Sequence, residues 1–226
     1  MGKRGPKPKG RVKIKWSSNF AYAIGLIVTD GNLSKEGGRI SFVSKDIEQI
    51  KNFNKSLGID IKIGIHHSGS TSNTAYRVQF RDISFYDFLV LIGIKPVKSK
   101  TIGEVKVPEK FFFDFLRGCF DGDGTFYSYW DPRWRSSHMF YVEFVSASII
   151  YIDWLKSKLE NEIGVFGHVT NDGKGATHQL KYAKKEAVEI IKNMYYNQKV
   201  VCLSRKRTKI KKALIIERQQ QEKYRK

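Results

Sequence analysis

One apolar motif occurs twice in this chain. Residues 20–31 read FAYAIGLIVTDG and residues 113–124 read FDFLRGCFDGDG; superposed, they match Phe20 to Phe113, Gly25 to Gly118, Asp30 to Asp123 and Gly31 to Gly124. A duplication constrains a fold more than composition does, because each copy needs the same surroundings. The match continues downstream: SFVS (41–44) answers EFVS (143–146), SLGIDIKIG (56–64) answers NEIGVFGHV (161–169), and YRVQF (76–80) answers HQLKY (178–182). Apolar spacing predicts helices over 46–57, 84–93, 148–160 and 185–195. Short β-branched and aromatic runs, bounded by turns such as HHSGSTSN and TNDGKGAT, predict strand pairs. Each half therefore reads as apolar helix, strand pair, amphipathic helix, strand pair, helix, an α+β fold built of two pseudo-symmetric αββαββα repeats. The expected divisions are a basic flexible arm (1–16), a first repeat (17–104), a second repeat (105–212) and a basic tail (213–226), with Pro96 and Pro108 punctuating the joint.

The paired Asp-Gly endings carry the chemistry. One such ending reads simply as a helix stopped by a left-handed glycine. Against that, Gly25 and Gly118 each cost about 1 kcal/mol relative to alanine in mid-helix, a cost that makes sense where two helices touch backbone to backbone. An acid at a helix C-terminus also opposes the macrodipole, by roughly 0.3–1 kcal/mol. Both copies carry the same combination. Helices packed along the two glycines would bring Asp30 and Asp123 together at one end. Two close carboxylates call for a divalent cation between them, and hard oxygen donors select Mg²⁺.

Charge points to the partner. The 226 residues carry a formal +19; residues 1–15 hold seven Lys or Arg and no acid, and residues 198–226 hold eleven against two acids. A basic balance of this size implies a polyanion. The body, nearly neutral, has to supply its own signal, and RVQFR (77–81) does so: Val78 and Phe80 fall on one face of a strand and Arg77, Gln79 and Arg81 on the other. No apolar stretch reaches the roughly 18 residues of a membrane span, and no secretory signal is evident, so an intracellular chain without membrane association is expected. Two cysteines, Cys119 and Cys202, suggest a reducing compartment, and neither a C-x-x-C nor zinc-ligand spacing is present. The five histidines fall in expected loops or strands and form no catalytic constellation with Asp or Cys.

AIGLIVTDG (23–31) and LRGCFDGDG (116–124) resemble the two signature helices of single-chain LAGLIDADG homing endonucleases, and the order of elements is similar over residues 17–212. The resemblance implies a pseudo-twofold monomer with the signature helices at its interface and two antiparallel four-stranded sheets forming a saddle in the DNA major groove. It implies that Asp30 and Asp123 bind the metals, with the Thr29 and Gly122 carbonyls as additional ligands. The first-acid position of the motif is Val28 in one copy and Asp121 in the other, and is not the family's catalytic one. Basic residues near the scissile phosphates would be Lys98, in KPVKSKT, and Lys206, in LSRKRTK. Lys45 matches a polar position around the water network; its counterpart is Ala147.

Expected DNA contacts are Lys35, Arg39, Lys45, Arg77, Gln79, Arg81, Tyr127, Tyr129, Arg133, Arg135, Gln179 and Lys181. The hairpin at 125–144, with Trp130, Arg133, Trp134 and Arg135, reads either as an arm along DNA or as a self-packed aromatic tip. KRGPKPKGR (3–11) reads either as a minor-groove arm or as a tail that cannot fold alone. The function expected is a site-specific double-strand DNA endonuclease, Mg²⁺-dependent, with Mn²⁺ able to substitute and Ca²⁺ supporting binding without cleavage. It would act as a monomer, without a protein partner, on a long non-palindromic site. The alternatives are a catalytically silent DNA-binding regulator, which predicts loss of the acids, and an intron RNA maturase.

Overall fold

Both copies of the motif are helical, and they cross. In the computed structural model, which describes residues 10–67, 74–173 and 175–224, the first half runs α1 (Ser18–Asp30), β1 (Gly31–Leu33), β2 (Arg39–Ser44), α2 (Ile47–Leu57), β3 (Gly64–His67), β4 (Thr74–Arg81) and α3 (Ile83–Leu91). The second half repeats the order with α4 (Phe112–Gly122), β5 (Thr125–Trp130), β6 (His138–Ser146), α5 (Ile149–Ile163), β7 (His168–Asn171), β8 (His178–Ala183) and α6 (Lys184–Met194), and adds α7 (Ser204–Tyr224). Each half forms a four-stranded antiparallel sheet, ordered β1-β2-β4-β3 and β5-β6-β8-β7. The duplicated α+β reading therefore holds.

Helix α1 begins where the Ser17 hydroxyl accepts from the Phe20 amide at 3.1 Å, and every residue from Phe20 to Val28 is buried. A helix apolar on all sides belongs in the middle of a core. Its partner is α4, and the glycines explain how close the two come. A β-carbon on Gly25 would lie 2.2 Å from the Phe115 carbonyl oxygen, and one on Gly118 would lie 2.1 Å from that of Tyr22. No side chain fits, so the propensity cost is offset by backbone contact. Gly31, by contrast, is extended (φ −79°, ψ 147°), so the Asp-Gly ending is not a left-handed cap.

The sheets bury one face each. Ile40, Phe42, Val78 and Phe80 do so in the first half, and Phe126, Phe140, Phe144, Leu180 and Tyr182 in the second. Arg117, fully buried, fastens the end of α6 and the α6–α7 connection to α4: it donates to the carbonyls of Met194 and Val201 and pairs with Asp114 at 2.6 Å.

Both expected tails differ from what the sequence suggested. Residues 1–9 of the arm lie outside the described residues, but from Gly10 onward the chain is docked. Asp82 Oδ2 accepts from the amides of Arg11 and Val12 at 2.6 and 2.9 Å. Val12 is buried, and Trp16 packs edge-on against Phe20 and Phe88. A run without acids is held by one distant acid that sequence spacing does not reveal. At the other end, α7 crosses the boundary expected at 212–213 without a break. Buried Ile210 and Ala213 seat it, and a Lys184–Glu217 pair at 2.6 Å and a Gln220 donation to the Ser136 carbonyl at 2.7 Å hold its far end. Among the described residues no helix is long and apolar enough to cross a membrane.

Candidate active site at the helix crossing

The crossing sets Asp30 and Asp123 at the ends of α1 and α4. Asp30 Oδ2 lies against the last turn of α4: a β-carbon on Gly122 would fall 2.9 Å from it and 2.0 Å from Thr29 Oγ1. Thr29 in one copy thus occupies the space that Gly122 leaves in the other. Burial first, and then the charge of Asp123, push the Asp30 carboxyl up to about 6. Asp123, the more open of the two, is raised by desolvation as well, with Lys98 and Lys206 opposing.

Those two lysines are the structure's answer to acids placed at helix C-termini. Both are buried. Lys98 Nζ donates to the carbonyls of Gly31 at 2.7 Å and Thr29 at 3.3 Å. Lys206 Nζ donates to those of Phe120, Asp121, Gly122 and Gly124. Each ammonium therefore covers carbonyls that the helix end leaves free, and sits where the macrodipole is negative. Burial lowers both lysines, Lys206 to about 8, while the carboxylates of Asp121, Asp30 and Asp123 hold Lys206 up. Asp123 lines two clefts, one shared with Val28, Thr29 and Lys98 and the other with Arg205, Lys206 and Lys209.

Among the described residues no three His, Cys, Asp or Glu side chains gather into a metal cage. Mg²⁺ needs no such cage; it is usually held by one or two carboxylates together with water and substrate phosphates. The donors present, two carboxylates with carbonyls at their feet, fit that pattern. The Thr29 and Gly122 carbonyls each accept one lysine hydrogen bond and keep a second lone pair.

The expected nucleic-acid contacts separate into two groups. In the first half Lys35, Arg39, Lys45, Arg77, Gln79 and Arg81 are all exposed. Arg39 stands opposite Arg81, Ser41 opposite Gln79 and Val43 opposite Arg77 across β2–β4. Lys45 lies in a separate groove with Asp46, Tyr76 and Arg205 and not in the clefts beside the two acids. In the second half Tyr127 and Tyr129 stack on Tyr141, with centroids 5.1 and 6.2 Å apart. Lys181 pairs with Glu143 at 3.6 Å, and Gln179 accepts from Thr170. At the hairpin tip Arg133 folds back on Asp131, Arg135 is exposed and Trp134 is 70% exposed, whereas Trp130 packs on His138 at 5.1 Å. The tip is mostly exposed, Trp130 itself being 49% exposed.

Sequence reading missed Asp82, Arg117 and Glu143 as organising residues. Each had a partial local signal: Asp82 precedes α3 as its N-cap, Arg117 stands one turn after Asp114, and Glu143 is an acid on the face of β6 opposite to the core.

No family model and no curated protein sequence matches the chain. Solved structures do. The homing endonuclease I-WcaI bound to its DNA recognition sequence is similar with a TM-score of 0.61 at 12% identity, over 87% of this chain and 88% of that one. The meganuclease I-SmaMI, bound to uncleavable DNA, is similar with a TM-score of 0.60 at 13% identity, over 93% of this chain and 92% of that one. Full-length DUF199/WhiA from Thermatoga maritima is similar with a TM-score of 0.54 at 14% identity; the match covers 84% of this chain and only 61% of that one. Two antiparallel four-stranded sheets, joined through crossed helices that end in paired aspartates, give this chain the fold of the single-chain LAGLIDADG homing endonucleases.

Proposed function

We propose that this protein is a site-specific double-strand DNA endonuclease, hydrolysing phosphodiester bonds with a divalent cation, Mg²⁺ by its donor set. The observation that carries the reading is the convergence of two partly desolvated carboxylates and two buried lysines at the crossing of two similar helices. The DNA-bound neighbours support the partner. So does the opposition of Arg39 to Arg81 on an exposed face, because like charges facing across a ladder are destabilising unless something anionic lies over them.

Each cut adds one water across one P–O bond: the water oxygen joins phosphorus, the bond to the leaving sugar oxygen breaks, and that oxygen takes a proton. Asp30 and Asp123 would hold the cation, beside the Thr29 and Gly122 carbonyls, and the cation when bound supplies an activated water and charge for the leaving oxygen. Lys98 and Lys206 are fixed beside the acids before substrate arrives, so their charge opposes the growing negative charge with little reorganisation. Exposed Arg77, Gln79 and Arg81 would read base edges in the first half-site, and Tyr127, Gln179 and Lys181 the other. Unequal faces call for a non-palindromic target and one protein molecule per duplex.

The test is selection of cut sites from a randomised DNA library in Mg²⁺, followed by binding and cleavage assays of Asp30→Asn and Asp123→Asn on the recovered site. Each variant should lose double-strand cleavage and keep site-specific binding in Ca²⁺. Either variant cutting both strands at near the wild-type rate would overturn the site, and wild-type binding without cutting would overturn the enzyme.

A further inference from the structure

One carboxylate beside the site has no part in the chemistry just described. Asp121 occupies the motif position that is Val28 in the first half, and it is 1% exposed. Its Oδ2 accepts from the Leu203 amide at 2.6 Å and from the Tyr22 hydroxyl at 2.8 Å. Leu203 immediately precedes α7, and Lys206 lies within the first turn of that helix. A carboxylate at a helix start is favoured by the free amides and dipole there. The same residue receives Lys206 a second time, since its own carbonyl accepts from Nζ at 2.9 Å and from Gln49 Nε2 at 3.0 Å. Asp121 thus holds both the base of the Lys206 helix and the tip of the Lys206 side chain.

Among the described residues the first half has nothing equivalent. The Val28 side chain offers no acceptor. Lys98 sits on a three-residue 3-10 turn entered through Val97, which has φ 58°. That left-handed conformation is unfavourable for a β-branched residue. The Lys98 ammonium reaches two carbonyls where Lys206 reaches four.

We infer that Asp121 is a positioning residue for Lys206 and that it makes the two halves of the site unequal, so that the strand served by Lys206 is cut first and nicked duplex accumulates on the way to the double-strand break. This rests on the endonuclease reading for its cleavage consequence, though not for the positioning itself.

Two readouts test it. The first needs no cleavage: a brief acetic anhydride pulse on the intact protein, with labelling of each lysine read by peptide mass spectrometry. The wild-type rates of Lys206 and Lys98 are the references. In Asp121→Val combined with Tyr22→Phe, which avoids stranding the tyrosine hydroxyl, Lys206 should label several-fold faster than in the wild type, with Lys98 unchanged. Asp121→Asn, whose amide oxygen can still accept both hydrogen bonds, should restore protection. The second readout is the rate of each strand on a duplex labelled at both 5′ ends. The double variant should slow one strand by about 10-fold or more, the cost of a small misplacement, and Lys206→Ala should slow that same strand. If the double variant does not fold, Asp121→Ser, too short to reach Leu203, carries both readouts with the same expectation. Unchanged Lys206 labelling, or equal slowing of both strands, overturns the inference. A wild type that cuts no DNA overturns the enzyme reading instead, and the labelling still decides whether Asp121 positions Lys206.

Discussion

The open faces of the two sheets share one strand order and register but differ in how charge is handled. On β2–β4, Arg39 faces Arg81 with no acid on the ladder to compensate. On β6–β8 the matching pair is Tyr141 opposite Ala183, the next pair on that face, Glu143 opposite Lys181, is closed at 3.6 Å, and tyrosines stack along β5 and β6. The first face is a set of free cations; the second is already partly neutralised and partly aromatic. At the seam the two halves keep glycine at the same place, because Gly25 and Gly118 each exclude any side chain. Close backbone contact forbids drift, whereas a solvent-facing strand position permits it.

The largest effects that could sharpen this contrast lie at the lysines. Lys98→Ala and Lys206→Ala should each slow cleavage at least about 10-fold, as for the loss of one preorganised charge donor. Lys206→Ala should also melt at the lower temperature, since four carbonyls lose their donor where Lys98→Ala strips two. Equal melting would mean that the cage around Lys206 contributes nothing beyond geometry. Base reading comes next. Arg77→Ala should cost about 1–3 kcal/mol of discrimination at one base pair, measured by competition among single-base variants of the site. Lys181→Ala should cost less, because its ammonium is already engaged. Glu143→Gln should bring Lys181 up towards the arginine value, and failure to do so would break the proposed difference between the faces.

A smaller effect concerns Asp30 in the metal-free protein. Its carboxyl titrates near 6 when folded, above the unfolded value of 3.8. The stabilisation from its protonated form is complete below that unfolded value and is lost as pH rises through 6. Asp30→Asn should therefore be more stable than the wild type at pH 8, by about 1 kcal/mol after allowance for partial exposure, and the advantage should vanish below pH 4. Thermal melts at the two pH values decide it. The smallest effect is expected from removing residues 1–9. Every phosphate that this run neutralises should add roughly 0.9 to the steepness of log affinity against log salt, so the shortened chain should show a shallower slope. An unchanged slope would make that run a bystander.

Much of the fold was legible because its signals are local or repeated. The alternation from Arg77 to Arg81 fixed a half-buried strand, and matching Gly25 to Gly118 placed the helices and both aspartates together. What escaped depends on partners far apart in the chain. The resemblance singled out Lys98 and Lys206, but Lys98 lies among Lys95 and Lys100, and Lys206 among Arg205 and Arg207; nothing local says that these side chains turn inward onto helix-end carbonyls. Arg11 and Val12 looked like tail because Asp82, their acceptor, is about seventy residues away. Helix α7 looked like tail beyond 212 because its polar length hides the few positions, Ile210 and Ala213 among them, that seat it.

A contact between two glycines also fixes a dimension. The crossing of α1 and α4 works as a caliper welded at one opening: no side chain at the pivot can be lengthened or trimmed to widen the jaws. Substitutions on either sheet can change its exposed face while the spacing between the two aspartates stays where the backbones set it. Under the endonuclease reading, the stagger between the two cuts would be inherited unchanged as the recognised sequence evolves.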